Sequence, residues 1–176
     1  LSSTIELFLD QHTCKVIRSV WKVLEEKNIG APLYSTGAFP HISLFTYEKI
    51  DEIRCREVLT KAAEGIAKLS IRFTHLGTFR QKKNVIYLGA ERTEEMDELR
   101  EQISAGLTQY SDTLWPYYGS ESWIPHSTMA TDLRRSELEP ARETASRIIT
   151  LPLISRAHKV ALVEFAPVKH IFSLEL

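Results

Sequence analysis

The chain has 176 residues, with 22 Lys+Arg against 23 Asp+Glu and a formal net charge of -1, so it lacks the overall basic field that would hold a long nucleic acid by phosphate neutralisation. Hydrophobic residues make up 43% and charged residues 26%, the composition of a folded globular protein and not of a disordered or fibrous one. The length suits one compact domain over residues 1–176, and no apolar run approaches the ~18 residues that a membrane-spanning helix needs, so no membrane partner is expected.

Residues 4–9 read as a strand, and residues 11–28 as a helix with Ile17, Val20, Trp21 and Leu24 on one face, ended by Gly30 and Pro32. After a loop comes the strand 41–45, then a helix from about Asp51, a suitable N-cap, with Val58, Ala62 and Ile66 at helical spacing. Residues 69–79 are strand-like. The same order then recurs: strand 85–88, a helix from about Thr93 with Met96, Leu99, Ile103 and Leu107 on one stripe, and strand 124–130. Ser136-Glu137-Leu138-Glu139 has the S-x-x-E form of a capping box and opens a further helix to about Ile149. Two last strands, about 159–165 and 168–174, are separated at Pro167.

This order reads as an internal duplication. Ile5 to His41 is 36 positions and Val85 to His126 is 41, so equivalent strands of the two halves carry a Pro-His step at nearly the same place. The turn at residues 81–84 is the one candidate seam, giving lobes of approximately 1–80 and 81–176. Cys14 and Cys55 have no C-x-x-C spacing and suggest neither a disulfide framework nor a zinc site, which fits a reducing cytoplasm. The N-terminus shows no basic stretch followed by an apolar one, so no targeting signal is expected.

Each half holds P-H-x-[S/T] at the start of a strand, as Pro40-His41-Ile42-Ser43 and Pro125-His126-Ser127-Thr128. Side chains at i and i+2 of a strand share a face, which sets His41 beside Ser43 and His126 beside Thr128, with Ile42, Leu44 and Met129 turned into a core. An imidazole titrates near neutral pH, so one of a pair accepts a proton while the other donates one. A phosphodiester needs such a pair: base for the attacking water, acid for the leaving oxygen, with the two hydroxyls donating to the phosphoryl oxygens. No metal or other cofactor is required. One H-x-[S/T] tripeptide arises easily by chance, but two, both after proline and at matching places, outweigh a structural reading.

At this point the sequence resembles the 2H phosphoesterase superfamily, and more narrowly its bacterial 2′-5′ RNA-ligase-like, cyclic phosphodiesterase branch. The resemblance covers nearly the whole chain. Besides the two histidine motifs it includes Leu76-Gly77-Thr78-Phe79 followed by Val85-Ile86-Tyr87-Leu88, the approach Trp123-Ile124-Pro125-His126, and the ending Leu162-Val163-Glu164-Phe165-Ala166-Pro167-Val168. It implies an α+β fold, bilobal, with two antiparallel β-sheets flanking a central cleft and helices outside. It also implies that His41, Ser43, His126 and Thr128 are the catalytic residues; Ser43 stands where the family more often has Thr.

The expected function is hydrolysis of a 2′,3′-cyclic phosphate or a 2′-5′ phosphodiester of RNA or nucleotides, with reverse ligation within the family's range. The alternatives are a non-catalytic module that holds a nucleotide or RNA end in the same cleft, and a metal-dependent hydrolase, disfavoured because no carboxylate accompanies either motif at ligand spacing. A small nucleotide or RNA-end phosphodiester is the expected partner, and a monomer the expected state. Phe39 and Trp123, just before the Pro-His steps, are candidates to stack on a base. Arg80, in a basic cluster with Lys82 and Lys83, is a candidate phosphate contact. His12, His75, His158 and His170 share no ligand spacing and are read as structural.

Overall fold

The alternation of side chains in the first strand already separates the two surfaces of the sheet. The computed structural model describes residues 1–176, and in it β1 (Ser2–Leu9) is buried nearly throughout. Ile5, Leu7 and Leu9 join the main apolar core, while Thr4 and Glu6 line a cavity and Phe8 packs in a small separate cluster with Ala161 and Val163. Helix α1 (Gln11–Glu26) starts where the Asp10 carboxylate accepts the Thr13 N–H at 2.9 Å, and it buries Ile17, Val20, Trp21 and Leu24.

Then follow β2 (His41–Ile50), α2 (Glu52–Ala67), β3 (Ser70–Phe79), β4 (Asn84–Ala90) and α3 (Glu94–Leu107). Asp51 caps α2 by accepting the Arg54 N–H, and Thr93 caps α3 by accepting the Met96 N–H. The chain ends with β5 (Ser111–Leu114), β6 (His126–Leu133), α4 (Leu138–Ile148), β7 (Leu153–Phe165) and β8 (Lys169–Glu175). No helix is long and apolar enough to cross a membrane.

All eight strands are antiparallel, in the order β5-β2-β1-β7-β3-β4-β6, with β8 also on β7. The long β7 joins two ladders. Leu153 to Arg156 pair with β3, and Ala157 to Phe165 pair with β1, so the two sheets expected from the sequence are one connected set. The 81–84 turn is the tip of the β3–β4 hairpin, and each ladder draws strands from both sides of it: β5, β7 and β8 join β1 and β2, while β3 joins β4 and β6. One apolar cluster runs through both ladders, holding Leu44, Phe73, Leu88, Met129 and Leu162 together.

Three local expectations change. Strand β5 was not legible, because Ser111-Asp112-Thr113-Leu114 has no apolar alternation and exists by pairing with Tyr47, Lys49 and Ile50. Ser136 does not cap α4: a 3-10 turn at Arg135–Glu137 precedes the helix, and the Glu137 carboxylate accepts the Arg134 N–H at 2.8 Å while pairing with the Arg134 guanidinium. The strand expected from Ile124 starts at His126, since Pro125 supplies no N–H to the ladder and only its carbonyl is used, by Ala90 N–H.

Candidate active site

The two Pro-His steps fall at the same structural place. His41 is the first residue of β2 and His126 the first of β6. Although β2 and β6 lie far apart in strand order, they pack against each other where the sheet folds over. Each imidazole is held by the same local bond: His41 Nδ1 lies 2.7 Å from the Phe39 carbonyl, and His126 Nδ1 lies 2.7 Å from the Ile124 carbonyl. A carbonyl only accepts, so in both rings Nδ1 carries hydrogen and Nε2 is the nitrogen left for chemistry. The intervening proline explains the recurrence, because its fixed φ leads the chain into the strand while the carbonyl two residues back reaches the ring.

The strand backbones beneath the hydroxyls are also held alike. Trp123 Nε1–H donates to the Ser43 carbonyl at 3.0 Å, and Trp21 Nε1–H donates to the Thr128 carbonyl at 3.0 Å. Each carbonyl is thus satisfied by an indole from outside the ladder. Around Trp123, the Arg100 guanidinium lies 4.2 Å from the ring and that of Arg92 lies 5.6 Å from it. Arg100 is 4% exposed and donates to the carbonyls of Leu44 and Tyr118; burial pulls its guanidinium down to about 10. Arg92 donates to the carbonyls of Trp123 and Ser120.

His41 and Ser43 line a cavity of about 420 Å³ together with Thr128, Thr4, Glu6 and His170. His126 lines an adjoining one of about 300 Å³ with Phe79, Tyr117 and Ile124. Thr128, Thr131, Trp115 and Tyr118 border both, so the two spaces form one cleft with the imidazoles in its two parts. A charge on His41 is among the influences that hold His126 below its ordinary value, so the rings sense each other.

The rings differ in what surrounds them. His126 sits against Phe79 at 5.0 Å and Tyr87 at 5.3 Å between ring centroids, and burial, with the His41 charge a lesser cause, holds it below the usual imidazole value. Gly77 makes this wall: a Cβ there would collide with the Tyr87 ring, which lies across β3 and stacks on Phe79 at 4.2 Å. His41 instead faces a carboxyl, with Nε2 at 3.4 Å from Glu6 Oε1. Burial holds the Glu6 carboxyl above its ordinary value, and the charges of His41 and His170 offset this only in part.

The fold brings His41, Ser43, His126 and Thr128 to this cleft and treats the other candidates differently. Trp123 also borders the His126 part of the cleft, but it is 3% exposed and its N–H is used on the Ser43 carbonyl, so it supports β2 there. Arg80 is exposed just after β3 and lines neither part of the cleft, although its neighbours Phe79 and Gln81 do. Phe39 is 47% exposed and packs between Phe8 and His170, each 5.2 Å away, beside a neighbouring cavity of about 750 Å³ that shares His170 with the cleft.

Two residues of the cleft escape a reading by spacing. Glu6 comes from 35 positions before His41, so the statement that no carboxylate accompanies either motif holds along the chain and fails in space. Its one sequence signal is a charge inside an apolar strand. His170, set aside as structural, also lines the cleft, with Nε2 3.0 Å from the Gly37 carbonyl. No group of three or more His, Cys, Asp or Glu side chains is arranged to hold a metal ion.

The model of the 2′-5′ RNA ligase superfamily matches residues 11–166. A Staphylococcus saprophyticus protein with the provisional designation of phosphoesterase is 30% identical over 105 residues, 57% of this chain and 57% of its own length. A Bacillus licheniformis protein of similar designation is 29% identical over 101 residues, 56% of each. The chain therefore spans little more than half the length of the curated relatives it matches. Among solved structures, the fold is similar to that of a Thermus thermophilus protein, with TM-score 0.63 and 15% identity over 100% of this chain and 98% of that one. It is also similar to E. coli LigT, with TM-score 0.60 and 14% identity over 99% and 96%. LigT has also been crystallised with 3′-AMP, and that structure superposes with TM-score 0.56 at 14% identity over 99% and 96%.

Proposed function

The chain belongs to the 2′-5′ RNA ligase superfamily, and on that premise we propose that it is a metal-independent phosphodiesterase that opens a 2′,3′-cyclic phosphate or a 2′-5′ linkage of a small nucleotide or RNA end, with His41 and His126 as its acid–base pair. The observation that carries the reading is the repeated ring geometry: two imidazoles at the starts of β2 and β6, each fixed at Nδ1 by a 2.7 Å bond, present Nε2 to one cleft. Such fixed tautomers suit proton transfer, since ring orientation is settled before the substrate arrives. The LigT complex with 3′-AMP supports a nucleotide-sized ligand.

His126, held below the usual value by burial, is neutral near neutral pH and takes the proton of the attacking water at Nε2. His41, beside a carboxyl, gives its Nε2 proton to the leaving oxygen. The Ser43 and Thr128 hydroxyls donate to the phosphoryl oxygens, where charge grows in the transition state. Phe39, the exposed ring next to the cleft, carries the substrate's base or a neighbouring nucleotide.

The test is a screen of 2′,3′-cyclic nucleotides and 2′-5′ oligonucleotides with a strong chelator present, products being identified by the oxygen that keeps the phosphate. His41→Ala and His126→Ala should each lose about 10²–10⁴-fold in kcat/KM. Near wild-type turnover in either folded variant would refute the two-histidine reading. Activity lost to the chelator and restored by a divalent metal would favour a metal hydrolase. Tight binding of cyclic nucleotides with no turnover would favour a binding module.

A further inference from the structure

Position 6 is an unusual place for a glutamate. It lies in β1 between Ile5 and Leu7, both at most 1% exposed, and its own side chain is only 9% exposed. A buried carboxyl normally has a lysine or arginine partner, or caps a helix, because its charge is costly to remove from water. Glu6 has neither. The ionisable groups that face it are His41 from β2 and His170 from β8, while β7 sets Ala161 opposite it. Glu6 also lines the same cleft as His41, Ser43 and Thr128.

This placement completes one charge state of His41. Nδ1–H is already given to the Phe39 carbonyl, and Nε2 faces the Glu6 carboxyl, so both ring nitrogens point at acceptors. Where the Glu6 carboxyl is ionised, a doubly protonated ring satisfies both acceptors, whereas a neutral one sets a lone pair against a carboxylate oxygen. At 3.4 Å the contact is longer than a good hydrogen bond, so the N–H is left available to a substrate oxygen. His126 has no such carboxyl and faces aromatic rings instead.

We propose that Glu6 is a positioning residue of the phosphoester site, which acts through His41 by keeping that imidazole charged and aimed as the proton donor. The inference rests on the two-histidine reading. In the hydrolytic step the water oxygen bonds to phosphorus as its proton passes to His126 Nε2. The bond from phosphorus to the leaving oxygen breaks as that oxygen takes the proton from His41 Nε2. A phosphomonoester and a hydroxyl result, His126 ends charged and His41 neutral, and exchange with solvent resets the pair. Glu6 keeps the same charge throughout.

Glu6→Gln, nearly the same in shape, removes the anion and leaves the packing. The imidazolium of His41 then loses its support, so the alkaline limb of kcat/KM against pH moves to lower pH, while the acid limb, set by His126, stays in place. Above neutral pH the rate falls about tenfold per unit of movement. Glu6→Asp retains the anion and brings the limb back toward wild type. A structural role alone would lower stability or turnover evenly and move neither limb, so limbs that superimpose on wild type overturn the proposal. An NMR titration of the histidine rings in wild type and in Glu6→Gln gives a second readout: the His41 transition should move to lower pH in the variant while that of His126 stays, and an unmoved His41 transition overturns the proposal. If His41→Ala is inactive and the Glu6→Gln limbs are unmoved, only the role of Glu6 fails; if His41→Ala is active, the two-histidine reading itself fails.

Discussion

Trp123→Phe separates a supporting tryptophan from a substrate-binding one. The indole is 3% exposed, its N–H bonds the Ser43 carbonyl at 3.0 Å, and the guanidinium groups of Arg100 and Arg92 lie 4.2 Å and 5.6 Å from its ring. Phenylalanine keeps a ring for the cations but has no donor, leaving the Ser43 carbonyl unpaired in a buried place. An unsatisfied buried acceptor costs about 1–3 kcal/mol, and for a chain of this length ~2 kcal/mol lowers Tm by roughly 4–8 °C. Thermal unfolding followed by circular dichroism reads that loss. Steady-state kinetics on the best substrate of the screen should show a lower kcat, since Ser43 and His41 share the loosened strand, with KM nearly unchanged. An unaltered Tm together with a several-fold rise in KM would refute the argument and return Trp123 to the substrate.

Ser43→Ala and Thr128→Ala should each raise the barrier by about 2.7–4 kcal/mol, the usual cost of removing one donor to a developing oxyanion, while Tm stays within a degree or two; wild-type kcat in both would mean the hydroxyls do not reach the phosphate. Gly77→Ala should push the Tyr87 ring off β3 and disturb the wall behind His126, with an overpacking cost of about 1–3 kcal/mol. A Gly77→Ala protein with wild-type Tm and pH profile would show that the wall is not needed.

The residues that carry local pattern were legible in the sequence. Asp51 caps a helix as read, the next helix starts near Thr93, and each Pro-His step leads into a strand, because caps and strand entries are decided within a few residues. Ser136 misled for the same reason, since an S-x-x-E spacing cannot tell that the Glu137 carboxylate and Arg134 settle the turn first. Features made by partners far along the chain were not legible: β5 exists through Tyr47, and Trp123 is buried by arginines from α3 and its approach. Glu6 belongs to this second class, and so does the joining of both ladders by β7.

The site thus combines a repeated local device with unlike surroundings. The Pro-His steps give both rings the same tautomer, and the indoles of Trp123 and Trp21 hold the two strands alike, which by themselves would make two equivalent imidazoles. Equivalent groups would share the acid and base states evenly, whereas environments that push two titrating groups apart assign the roles. Here the environments come from different strands of the sheet. Strand β1 places Glu6 against His41, while β3 and β4 place Phe79 and Tyr87 against His126, with Gly77 clearing the space. On the proposed reading, the motif therefore supplies two proton-transfer groups, and the sheet around it gives each of them a different neighbour.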